Sequence, residues 1–295
     1  MKKIFLTLFA LAVAVMPVSA AAYSPKDRVP VVGKQIVTKN GLPSAITFKV
    51  VEGTVDNSKS TTDNIVNVST TDLSYAGNDN EVAAVVAFEL GHIMNATVSK
   101  KKFRDMATAA VTSNFSDDNI VNVAAYSSYN QNRLSLNDNM DADVTGVDLM
   151  ITAGYNPLAM VVWVTKQPGG YLEALKGEPA NSKRAMNIYD YLTYNYPSKV
   201  KAGYACNEYR YFLTYADPIV QDRNSSKKKL SKFNKEQAKK KAERTKQIAK
   251  FKATGGLNGW DATYTILKNM SYKEEKGRLR RPYFFQILAN PREPY

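Results

Sequence analysis

The sequence predicts an α+β fold, mainly helical with a small β-sheet. Two short β-branched runs lie close together, ITFKVVEGTV at 46–55 and NIVNV at 64–68. The long segments that follow them carry helical signals instead: apolar residues at 3.6-residue spacing, N-cap residues, and Gly or Pro stops. Hydrophobic residues make up 44% of 295, enough for a sizeable core without disulfide staples.

Taken in order, Lys2 and Lys3 precede the apolar run Ile4 to Val15, and Val18-Ser19-Ala20 supplies a small-x-small cleavage site. Residues 1–20 therefore read as a secretory signal peptide, too short in its apolar part to span a bilayer. The expectation is a secreted or periplasmic protein with no transmembrane span after cleavage. Residues 21–40 suggest a helix or a short strand. The run 46–55 reads as a strand, 56–63 as a polar turn, and 64–68 as a second strand. Gly77-Asn78-Asp79 ends the strand region and offers an N-cap for a helix of about 80–96, whose stripe is Val82, Val85, Val86, Leu90 and Ile93. A helix is also expected over 100–115. Asp117–Val123 repeats the DNIVNV of 63–68, a copy too short to define a repeat protein.

Residues 137–153 form the next expected helix, stopped by Gly154-Tyr155-Asn156-Pro157, and 158–165 the one after. Another falls within 179–195. The Tyr-rich stretch 204–220 is ambiguous. Residues 225–253 favour a helix by propensity, and 260–270 another. The domain plan is thus a signal peptide at 1–20, a globular domain at 23–220, a basic helical segment at 225–254 and a C-terminal extension at 255–295.

Charge is concentrated. The formal net charge is +13, yet 227–252 alone holds twelve Lys/Arg against Glu236 and Glu243. Its apolar residues are sparse, which argues against deep membrane insertion. The segment reads as a solvated surface helix or mobile extension, or as a contact between Lys227–Lys252 and an anionic envelope surface. Nucleic acid is not expected, because no recognition motif accompanies the charge. Cys206 is the only cysteine, so no internal disulfide exists, and it reads as a small, partly buried residue.

The chemistry gathers at Phe88-Glu89-Leu90-Gly91-His92. This is nearly the zinc-protease motif H-E-x-x-H, in which two histidines share a helix face and the glutamate is the general base. His92 is the only histidine in the chain, so any Ser-His-Asp or Cys-His arrangement would have to use it. No phosphate-binding glycine loop occurs.

Three blocks in order, NIVNVSTTDLSY with NDNEVAAVVAFELGHI, MDADVTGVDLMITAGYNPLAM, and GEPANSKRAMNIYDYLTYNYP, resemble the HtpX/BepA-type zinc metallopeptidases. These are gluzincins related to the CAAX prenyl proteases. The resemblance covers about 46–197 and implies a gluzincin-type domain. It also implies zinc ligands at positions 88, 92 and 139, a general base at 89, an H-P motif at 178–179 and a downstream arginine at 184. Here those positions hold Phe88, His92, Asn139, Glu89, Glu178-Pro179 and Arg184. Only His92 survives of the ligands, where a catalytic zinc wants about three protein ligands and a water. Phe88 reads as apolar filling of the cleft, and Asp143 as a structural hydrogen-bond acceptor behind the site.

The expectation is a catalytically degenerate pseudopeptidase with no cofactor, binding an extended protein segment at the cleft or an envelope partner. The alternative is an active zinc endopeptidase whose altered site combines His92 with Asp138, Asp141 or Glu89.

Overall fold

The computed structural model describes residues 23–95 apart from 54, 56, 58 and 59, and residues 120–253 apart from 170. At 120–135, 171–172 and 247–253 only the backbone is described. The expected helices at 100–115 and 260–270, the extension at 255–295 and the signal peptide lie outside the described residues.

The fold is mainly helical with a two-stranded sheet, as the sequence predicts. Helix α1 (Pro25–Asn40) settles the choice left open for that stretch. Strand β1 (Thr47–Val51) is shorter than the run 46–55, and β2 (Ile65–Ser69) lies parallel beside it, with Thr47 opposite Ile65 and Val51 opposite Ser69. The crossover contains one helical turn, α2 (Ser60–Asp63), and α3 (Thr70–Leu73) follows β2. Val66 and Val68 are fully buried on β2, which packs on α4 (Asp79–Met94).

Helix α4 is the centre of the core. Thirteen of its residues are buried, so nearly all its sides are covered, a pattern of interior helices. Its start is fixed by Asn78, whose side chain accepts from the amides of Asn80 and Glu81 at 3.0 and 3.2 Å. The helices packed around it are α1, α5 (Ile120–Ala153) and α6 (Leu158–Lys166). Helix α5 begins well before the expected residue 137, and Gly154 stops it where the sequence placed the stop. After α7 (Tyr171–Leu175) come α8 (Ser182–Asn195), α9 (Pro197–Ala202) and α10 (Asn207–Asn224), which resolves the ambiguous Tyr-rich stretch as helix.

The basic helix α11 (Lys227–Ala253) docks on the core. Phe233 and Gln237 are buried, and the Arg223 guanidinium lies 3.8 Å from the Phe233 ring centre. Arg244 donates to Thr145 Oγ1 at 2.9 Å and to buried Asp148 at 3.0 Å. Asp148 also accepts from the Tyr191 and Tyr196 hydroxyls at 2.7 and 2.8 Å, so one carboxylate ties α5, α8 and α11 together. Because that face is turned inward, Lys228, Lys232, Lys235, Lys239 and Lys246 are exposed. Their spacing of three, four or seven residues sets them along one stripe. Among the described residues no helix is long and apolar enough to cross a membrane.

Candidate functional site

The site is built where α4 crosses α5. A Cβ on Gly91 would lie 2.5 Å from the Ala142 carbonyl oxygen, and one on Gly146 would lie 3.0 Å from the Ala87 backbone. Both positions therefore require glycine, and the two backbones nearly touch. That close approach brings the last turns of α4, carrying Phe88, Glu89 and His92, against Asn139 and Asp143 of α5.

Phe88 stands edge-on to His92, with ring centres 4.5 Å apart at 84°. On its other side it meets Trp163 of α6 at 5.2 Å. The Arg184 guanidinium of α8 lies 4.9 Å from the Phe88 ring centre and 5.8 Å from that of Trp163, within cation–π range. Arg184 is held there by a bidentate pair with fully buried Asp143, at 2.9 and 2.7 Å, and by a bond to Gln167 Oε1 at 3.2 Å. Asp143 thus does accept hydrogen bonds behind the site, and its partner is the arginine. Burial pushes its carboxyl up, and Arg184 pulls it back.

His92 is hydrogen-bonded to Asn139. Burial first, and then the Arg184 charge, hold the imidazole down to about 4, while Asp138 and the Asn139 bond pull the other way. The ring is therefore neutral at pH 7. Glu89 is buried, and burial pushes its carboxyl up to about 8, with the Asp72 charge adding to the rise and a hydrogen bond from Asn57 opposing it. That bond, Asn57 Nδ2 to Glu89 Oε2, is 2.8 Å long. Asp72 is raised by its own burial and lowered by Arg184. Its carbonyl accepts from Trp163 Nε1 at 3.1 Å.

The structure brings Phe88, Glu89, His92, Asn139, Asp143 and Arg184 into one cluster. Glu178 is placed at the start of α8, where its carboxylate accepts from Ser182 Oγ at 3.1 Å. Asp141 is exposed on α5. Sequence reasoning missed Asn57, Asp72 and Trp163. Asn57 sits in what reads as an ordinary polar turn, and Trp163 in an apolar helix, so neither announces itself.

The donor set does not fit a zinc ion. Phe88 offers no lone pair, and Asn139 is a neutral carboxamide engaged with His92. Among the described residues no three His, Cys, Asp or Glu side chains are grouped to hold a metal. The cluster can bind, pack and hydrogen-bond, and burial holds its Glu89 carboxyl up to about 8.

The sequence model of peptidase family M48 matches residues 26–192. No curated protein and no solved structure matches the chain.

Proposed function

Since the chain belongs to peptidase family M48, we propose that it is a metallopeptidase-family protein that has given up zinc catalysis and acts by binding. M48 enzymes are zinc-dependent. Such a metal would activate a water and polarise the scissile carbonyl, and the general base would take the water's proton. The observation that carries the proposal is the set around Phe88: an aromatic ring and a carboxamide occupy two of the three places where ligands would be needed, and only His92 remains. Within the family, the succession Ala142-Asp143, Gly154-Tyr155-Asn156-Pro157 and Pro179 with Arg184 supports the HtpX/BepA-type branch.

The ligand in this reading is an extended segment of a partner protein, added to the edge of β2 beside α4. The leader-like residues 1–20 support a place outside the cytoplasm. The lysine stripe of α11 supports a second contact, with an anionic envelope surface.

The test is zinc content of the purified protein together with casein proteolysis, set beside the Glu89→Ala variant. Sub-stoichiometric zinc and no Glu89-dependent cleavage are expected. Stoichiometric zinc with cleavage lost on Glu89→Ala would establish an active endopeptidase with an altered site instead. The double variant Phe88→His with Asn139→Glu is expected to gain zinc binding over the wild type.

A further inference from the structure

The outer edge of β2 is not bare. In the parallel pair the Thr47 amide donates to the Asn64 carbonyl at 2.8 Å, with Thr47 opposite Ile65. Alternation along the strand then turns the amides and carbonyls of residues 64, 66 and 68 toward β1. Those of Ile65, Asn67 and Ser69 turn to the opposite side, the edge facing away from β1.

At Asn67 both of these groups are taken by one side chain. The Asn67 amide donates to Asn57 Oδ1 at 2.8 Å, and Asn57 Nδ2 donates to the Asn67 carbonyl at 3.1 Å. One donor and one acceptor meeting both groups of a strand residue is the pairing an added strand would provide. The second Nδ2 hydrogen goes to Glu89 Oε2 at 2.8 Å, and Ser60 Oγ donates to Asn57 Oδ1 at 3.0 Å. The carboxamide is thereby saturated, two bonds given and two accepted, and Asn57 is 7% exposed. It lies between the strand edge and the helix that carries Glu89.

We propose that the Asn57 carboxamide is an internal stand-in for a peptide unit at the β2 edge, and that a partner segment engages this edge by displacing it. The inference rests on the reading of this edge as the site for an extended segment. It adds that the site is self-occupied. The Asn57 side chain meets the backbone of Asn67, whereas an added strand would run along the edge in both directions and also meet Ile65. Opening the position requires the carboxamide to give up its bonds to Asn67, Glu89 and Ser60. Displacement strips Glu89 of its Asn57 donor, so occupancy of the edge is reported to α4.

The probe is fluorescein-labelled β-casein, a chain extended in solution, with binding read by anisotropy. Asn57→Ala is expected to bind about tenfold tighter than wild type, since a site closed nine-tenths of the time shows about tenfold weakened apparent affinity. Hydrogen exchange at the Asn67 amide should accelerate in free Asn57→Ala and slow again with casein bound. Asn67→Pro, which removes that amide, is expected to abolish binding in either background. If Asn57→Ala binds no tighter than wild type while Asn67→Pro abolishes binding, the edge is a binding site but Asn57 is no plug. If Asn67→Pro binds as wild type does, the edge reading itself fails, and no casein binding by any of the proteins overturns both. Should Asn57→Ala not fold, casein titration of wild type decides. Asn57 side-chain amide signals that shift as the carboxamide is released support displacement, and signals unmoved at saturation refute it.

Discussion

Replacing Glu89 by Gln isolates the buried carboxyl at the centre of the cluster. The glutamine keeps an oxygen for the Asn57 donor and a donor of its own, but it cannot ionise. Glu89 is raised from 4.5 to about 8 in the folded chain. Below the lower value it is protonated whether the chain is folded or not, and it imposes no pH dependence. Above that value the unfolded chain releases the proton and the folded chain keeps it, so the unfolded state binds fewer protons and stability falls as pH rises. The slope is about 1.4 kcal/mol per pH unit until the folded value is reached. His92 works in the opposite sense: it is held down from 6.5 to about 4, so its contribution is lost as pH falls through that interval. The two effects oppose each other between the carboxyl's unfolded value and the imidazole's, and Glu89 dominates above the latter. Urea unfolding of wild type and Glu89→Gln, measured from about pH 6 to pH 8, should show the wild type losing roughly 2–3 kcal/mol relative to the variant. A stability difference that stays flat over that interval would refute the burial argument, because Glu89 would then ionise at its ordinary value in the folded chain.

The Arg184–Asp143 pair joins α8 to α5 with both side chains nearly out of water. Asp143→Ala leaves a buried guanidinium unpaired and should cost about 3–5 kcal/mol in denaturant unfolding. Asp143→Leu with Arg184→Met should recover much of that loss, and equal destabilisation by single and double variants would contradict the pairing. For the lysine stripe on α11, binding to vesicles containing anionic lipid should weaken steeply with added salt. It should also weaken when Lys232, Lys235 and Lys239 are changed to Gln. Salt-independent binding, or none, would remove the envelope contact from the proposal.

Much of the helical plan was legible because α4, α6 and the end of α5 carry their own signals: an N-cap at Asn78, apolar periodicity, and Gly154 with Pro157. The tetrapeptide IVNV shows the limit of such reasoning. At 65–68 it is a strand beside β1, and at 120–123 it lies in the first turn of α5. Identical residues take different structures because the neighbours differ. The docking of α11 was illegible for another reason. Hydrophobic spacing finds Phe233, but the helix is also held by Gln237 and Arg244, polar residues whose partners lie far away in sequence. Asn57 was hidden in the same way. Its meaning comes from Asn67 and Glu89, ten and thirty-two residues on. The line Phe88-Glu89-Leu90-Gly91-His92, by contrast, named three residues of its cluster, because a single helix positions them.

That crossing at Gly91 and Gly146 separates two things that metalloproteins often combine. In small zinc domains the ion joins the chain to itself, and removing it unfolds the protein. Here, backbone contact between α4 and α5 sets where residues 88, 92 and 139 stand, whatever side chains they carry. Substitution at those three positions can therefore change chemistry while leaving the architecture upright.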